Sequence, residues 1–271
     1  MKYLQNLHTH STYCDGKDTP EEIILAAIAK GHFSVGFSGH SYMHFSKGIS
    51  MSPERTEQYK KEIRALAEKY KDRIDVFCGI ECEMYSEIDL SGYDYLIGSV
   101  HYFKLGETYV GFDRSQEAVR EIIDTHFGGD GMKYAKEYYS TISRLPEYGN
   151  FDIIGHYDLV TKHSDNVKFF DEDSKEYKDA ALSAIHALKG KIPFFEVNTG
   201  AIARGYRKTP YPAPFLVKEF KRLGFGAVIS SDCHNSEFLD HRFDDAAELL
   251  KECGFTERYV LTKNGFEAVS L

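Results

Sequence analysis

The sequence predicts an α/β fold, a TIM-like barrel, and three observations carry that prediction. Short apolar runs alternate with amphipathic helical patterns along the chain. Nearly every apolar run stops at a polar cluster. Seven or eight such units fit into 271 residues. Alternating strands and helices build a parallel sheet, and this many units suit a closed barrel better than an open sheet.

The candidate strands are residues 3–7, 34–38, 75–80, 95–99, 151–155, 193–197 and 226–230, with a weaker last run at 259–262. Thr19 followed by Pro20 reads as an N-cap and first helical position, leading a helix to Lys30. Ser52-Pro53 opens a second helix that runs to Tyr70 with charges of both signs. Further helical patterns cover 130–148, 173–188, 214–223 and 244–253, the last three closed by Gly190, Gly224 and Gly254. Residues 103–128 break the rhythm and predict an irregular insertion or lid. With no repeat, linker or low-complexity segment, residues 1–271 read as one domain.

Composition narrows the function classes. Apolar residues make up 42% and charged residues 28%, ordinary for a globular chain that can bury a sizeable core. The net charge of −9 argues against a duplex nucleic-acid partner. It leaves room for a phosphorylated substrate, since bound metal supplies local positive charge. The five cysteines are odd in number and contain no Cys-x-x-Cys, which predicts free thiols and a cytoplasmic location. Residues 1–6 lack the apolar core of a signal peptide, and no apolar stretch of about 18 residues predicts a membrane span.

The run ends carry the chemistry. The first ends in His8-Thr9-His10, with Asp15 shortly after, and the second in Gly39-His40. The third ends in Gly79-Ile80-Glu81, the fourth in Gly98-Ser99-Val100-His101, the fifth in Gly155-His156, and the seventh in Ser231-Asp232-Cys233-His234. In a βα barrel the carboxyl ends of the strands converge on one face, where active sites lie. His8, His10, Asp15, His40, Glu81, His101, His156, Asp232 and His234 are therefore aimed at one volume. Strand alternation puts His8 with His10, and Asp232 with His234, while turning Cys233 away. Cys14 and Cys233 are expected to pack rather than ligate. Imidazole and carboxylate together suit zinc, iron or manganese, and nine ligands suffice for two or three ions. A lone histidine is more often a surface or core residue than a ligand. Six histidines at the same end of successive predicted strands are not lone.

Taken in order, these motifs resemble the polymerase-and-histidinol-phosphatase (PHP) family, and they span residues 8–234. The resemblance implies a distorted barrel of seven βα units and three divalent metal ions, with Glu81 bridging two. Glu196-Val197-Asn198-Thr199-Gly200, Arg204, Tyr211-Pro212, and His156-Tyr157-Asp158-Leu159 with Lys162 are similar to the histidinol-phosphate phosphatase branch. That branch hydrolyses L-histidinol phosphate to L-histidinol and phosphate in histidine biosynthesis. Asp15, Glu81, Asp232 and His234 are the expected catalytic group. His234, Asp158 or metal-bound water are the alternatives for protonating the leaving alkoxide.

For the substrate, Arg204, Arg207 and Lys208 form a basic knot after the sixth strand, and arginine suits phosphate. Glu83 and Asp158 follow Glu81 and His156 by two residues and are expected on the same face, to receive an ammonium or to support ligands. Ser41, Tyr42 and His44 are expected to line the pocket, and Asn198 is a substrate contact by resemblance. The competing readings are a PHP phosphoesterase for another small phosphate ester or a nucleotide, and a noncatalytic metal-binding protein.

Overall fold

A computed structural model describes residues 3–46 and 48–271. Met1 and Lys2, which belong to the segment read for a signal peptide, lie outside them. Among the described residues, seven strands form one sheet: β1 (Gln5–Asn6), β2 (Ser34–Phe37), β3 (Asp75–Glu83), β4 (Tyr95–Ser99), β7 (Ile153–Ile154), β8 (Phe194–Asn198) and β9 (Gly226–Ser230). They follow one another in that order and every pairing is parallel. The ring closes where the chain beyond β1 meets the chain beyond β9. His10 N donates to Cys233 O (2.8 Å) and Cys233 N to His8 O (2.9 Å). The fold is the expected distorted seven-unit barrel, and its seam is built by metal-ligand candidates.

The helices follow their capping signals. In α1 (Pro20–Ala29) Thr19 and Glu22 form a reciprocal capping box. In α2 (Pro53–Tyr70) Ser52 accepts from Arg55 N. Of the later helices, α5 (Lys175–Leu188) is capped by Ser174, α7 (Pro214–Leu223) ends at left-handed Gly224, and α8 is Phe243–Glu252. The pattern at 130–148 yields a shorter helix than expected, α4 (Gly131–Ile142), followed by a 3-10 turn at Leu145–Glu147. Pro146 lacks the amide that an α-helix needs there.

Two expectations are corrected. The run at 259–262 is not a barrel strand. It belongs to β10 (Glu257–Thr262), which pairs antiparallel with β11 (Gly265–Ser270), because a tight turn at Gly265 (φ 106°) folds the chain back. This hairpin packs Leu261, Tyr259 and Phe266 against Leu7, Phe77, Tyr95, Ile97, Ile153 and Val228. Residues 103–128 are not irregular either. They hold most of a hairpin of β5 (Tyr102–Leu105) and β6 (Thr108–Gly111), then α3 (Gln116–Phe127), capped by Ser115 and ended by left-handed Gly128. Four-residue strands with an exposed Lys104 carry too little periodic signal to be read locally.

Tyr95 is wedged under the site. Its hydroxyl donates to Leu7 O and Phe37 O (the latter 3.0 Å). The ring lies where a Cβ on Gly79 would come within 2.3 Å of it, and one on Gly36 within 2.4 Å of its hydroxyl. Gly79→Ala is expected to cost about 3 kcal/mol of stability through overpacking, as urea denaturation will show.

His32, buried between α1 and β2, titrates far from its ordinary range. Burial pushes its pKa down to about 4, although Asp240 pulls it upward. The unfolded chain therefore binds a proton below pH about 6.5 that the folded chain refuses. Stability contributed by neutral His32 is present above that pH and is lost as pH falls toward 4, in total about 3 kcal/mol. Denaturation midpoints of His32→Leu and the parent, compared between pH 7 and 4.5, should show a shallower acid loss in the variant.

Candidate metal centre and active site

All nine predicted ligands meet at the carboxyl end of the barrel, in three groups. His10, Asp15, His40 and His234 form one, His8, His10 and Asp232 a second, and Glu81, His101 and His156 a third. Within each group the ligand atoms lie within 4.8 Å of one another. Glu81 is the hub. Its Oε1 lies 3.0 Å from His156 Nε2, 3.4 Å from His8 Nε2 and 3.5 Å from His101 Nε2, while Oε2 lies 2.8 Å from His40 Nδ1. The long β3 carries Glu81 past its neighbours into the middle of the ring.

Buried carboxylates orient these imidazoles from behind. His8 Nδ1 donates to Glu196 (3.0 Å), which leaves Nε2 facing the cluster. His101 Nδ1 donates to Glu83 (3.0 Å), which leaves its Nε2 likewise. A carboxylate behind a histidine fixes the tautomer and raises ligand basicity. Glu83 is thus a support under His101. Glu196, missed as a site residue, does the same for His8 and also accepts from His156 N (2.7 Å) and Ser230 Oγ (2.5 Å). Its signal was a lone carboxylate within the apolar run Phe194–Asn198, which must be paired if buried.

Electrostatics in the cluster are coupled. Burial opposes charge on His8, but Glu196, Asp232 and Glu81 outweigh it and raise the pKa to about 10. Burial likewise opposes charge on Glu81, yet His8, His40 and His101 hold it well below the usual carboxylate range. Asp232 has φ 46°, a left-handed conformation rare for a side-chain-bearing residue. Strand geometry has ended at Ser230, so this turn, and not alternation, brings Asp232 and His234 together. Gly200 permits it, since a Cβ there would come within 2.7 Å of Ser231 O.

The donor set fits divalent metal ions. His8 Nε2, His10 Nε2 and Glu81 Oε2 are buried without a hydrogen-bond partner, at the points where the groups converge. Such atoms are costly unless something binds them, and nitrogen and carboxylate donors suit zinc, manganese or iron.

The cluster forms the floor of a cavity of about 410 Å³. Arg204 lines it. Its guanidinium donates to Asp232 Oδ2 (2.8 Å) and His234 Nδ1 (2.9 Å). Lys162, Tyr206, Asp113 and Tyr102 also line the wall. The last two come from the 102–128 segment, whose position over the site no local pattern announces.

Several expected substrate contacts lie elsewhere. Arg207 turns away and donates to Thr161 O (3.0 Å) and Thr161 Oγ1. Lys208 sits outside the lining, where its backbone N meets Asp165. Asp158 is buried behind the wall and accepts from Ala213 N (2.9 Å). Because β7 ends at Ile154, alternation does not extend to Asp158, which is not part of the cavity lining. Asn198 bridges Glu196 Oε1 and Gly200 N inside the fold. Ser41 is buried, accepting from Glu83 N and bonded to Ser86. Tyr42 lies outside the lining, and exposed His44 packs on Phe45 and Tyr109. Cys233 is buried and its thiol donates to Asn235 O, while Cys14 Sγ lies 3.4 Å from His10 Nδ1.

Comparison with known proteins agrees with this geometry. The PHP domain model matches residues 6–200. The chain belongs to the PHP family. It is 30% identical to a probable histidinol-phosphatase of Deinococcus radiodurans, over 94% of this chain and 95% of that one. It is 26% identical to the histidinol-phosphatase of Lactococcus lactis, over 95% and 93% of the two chains. A crystal structure of histidinol phosphate phosphatase from Lactococcus lactis, complexed with zinc, L-histidinol and phosphate, superposes with TM-score 0.73 at 22% identity, covering 98% of this chain and 99% of that one. The superposition establishes the shared barrel. Among the described residues no helix is long and apolar enough to cross a membrane.

Proposed function

We propose that this PHP-family chain is a single-domain, cytoplasmic phosphomonoesterase that hydrolyses L-histidinol phosphate to L-histidinol and phosphate in histidine biosynthesis. It would hold three divalent ions, zinc, manganese or iron, on the nine residues grouped around Glu81. The observation that carries the reading is this hub, placed at the floor of a cavity that also presents Arg204 and Lys162. The relatives named above supply the substrate.

Bound metal would lower the pKa of water toward neutrality and neutralise phosphoryl oxygens. The residues of the chain do the rest. Arg204, anchored on Asp232 and His234, holds a planar fork of donors beside the cluster, suited to phosphoryl oxygens. Lys162 adds a second cation from the neighbouring loop that follows β7. Tyr95 and the packed barrel floor close the site from below, so a substrate enters only from the cavity mouth. The net charge of −9 and the size of the cavity favour a small ester over a nucleic acid.

The test is phosphate release from L-histidinol phosphate against a panel of nucleotides and sugar phosphates, with metal analysis of the same sample. Preferred turnover of histidinol phosphate at a stoichiometry near three supports the reading. Preference for a nucleotide transfers it to that substrate, and metal-loaded protein without hydrolysis leaves a binding protein. Arg204→Met should raise KM at least tenfold, the loss of about one charged hydrogen bond. An unchanged kcat/KM would remove Arg204 from the substrate site.

A further inference from the structure

The cavity wall carries a carboxylate that the ligand cluster does not use. Among the described lining residues, Asp113 is the acidic group outside the three ligand groups. It follows β6 and precedes α3, so the 102–128 segment delivers it to the cavity wall. Its side chain is one-third exposed and pairs with Lys162 Nζ. The same ammonium lies 4.3 Å from the centre of the Tyr206 ring. Burial opposes charge on Asp113, but Lys162 and His101 hold its pKa down to about 2.

A phosphate held at the floor by Arg204 and Lys162 leaves the rest of a small ester against Ser46, Ile49, Tyr102, Gly111 and Asp113. That surface is hydroxyl, aliphatic and aromatic, with the carboxylate of Asp113 and, next to it in the lining, Arg114. Drawing Lys162 toward a dianionic phosphate weakens the ion pair that holds Asp113. A partly buried carboxylate gains from a cation beside it, and an ammonium on the substrate restores that pair where an amine-free ester cannot.

We infer that Asp113 is a specificity-determining residue that receives the ammonium of an amino-alcohol phosphate and selects against esters whose leaving group carries no cation. This rests on the phosphomonoesterase reading above and deepens it.

The experiment compares kcat/KM for L-histidinol phosphate with that for the same ester bearing hydrogen in place of the amine. The parent protein should prefer the amine about a hundredfold, and Asp113→Asn should bring the ratio to within about threefold. Asp113→Ser should do the same, with thermal unfolding confirming that both variants fold. Lys162→Met should lower kcat/KM for both esters while keeping the ratio. If Asp113→Asn lowers both esters in proportion, Asp113 only holds Lys162 and the inference falls. If the parent hydrolyses both esters without preference, the inference falls while the phosphomonoesterase reading stands. If it hydrolyses neither, both fall together.

Discussion

Glu81→Gln is expected to reduce turnover by about four powers of ten and to lower the number of metal ions held, even when metal is in excess. The side chain stands within 3.6 Å of His8, His10, His40, His101 and His156, so one carboxylate serves all three ligand groups. The amide keeps the shape but removes the charge and puts an N–H where Oε2 must accept. Metal centres contribute several kcal/mol of transition-state stabilisation, and each about 1.4 kcal/mol is tenfold in rate. Metal content by elemental analysis and steady-state kinetics on the same preparation check this. Full metal loading with near-normal turnover would sink the shared-hub model.

Glu196→Gln should behave differently. This carboxylate accepts from His8 Nδ1, His156 N, Asn198 Nδ2 and Ser230 Oγ, and it touches no other ligand candidate from the front. A glutamine offers one acceptor oxygen and points its amide hydrogens at donors. The affinity for metal at His8 and His156 should fall about 10–100-fold, the usual size for losing such a support. Because the ligands remain, excess metal should restore most of kcat, which it cannot do for Glu81→Gln. Glu196→Ala goes further, since it leaves buried donors and His8 uncompensated, and should cost about 3–5 kcal/mol of stability. A metal titration of activity, paired with urea denaturation, separates the two variants. Identical titration curves for Glu196→Gln and the parent would exclude the supporting role.

Much of the barrel was legible because each unit announces itself locally. Thr19-Pro20, Ser52-Pro53 and the glycine after α7 mark helix ends by capping chemistry that acts over a few residues. The parallel arrangement follows from strand–helix alternation. The ligand set was legible for a related reason: a barrel collects its strand ends on one face, so residues distant in sequence can be assigned a common place from topology alone.

Reading failed where the chain leaves regular structure. Alternation was carried past the end of β7 to Asp158, which instead accepts from Ala213 N. Arg207 follows Arg204 by three residues, yet Thr161 captures it and only Arg204 reaches the cluster. No local pattern distinguishes those two arginines, since the difference depends on which carbonyl and carboxylate the folded loops present.

By itself the sequence determined the alternation of strands and helices, the capped helices and the nine His8-to-His234 ligand candidates, since period and strand-end position are local properties. Only the tertiary structure decided that Glu81 touches all three ligand groups, which of its two expected roles Glu83 takes, that Glu196 stands behind His8, and that Asp113 reaches the cavity from an inserted hairpin and helix. Those relations are contacts between residues up to 188 positions apart, as for His8 and Glu196. They are set by the closure of the ring and by which buried donors remain to be paired, and no single segment carries that information.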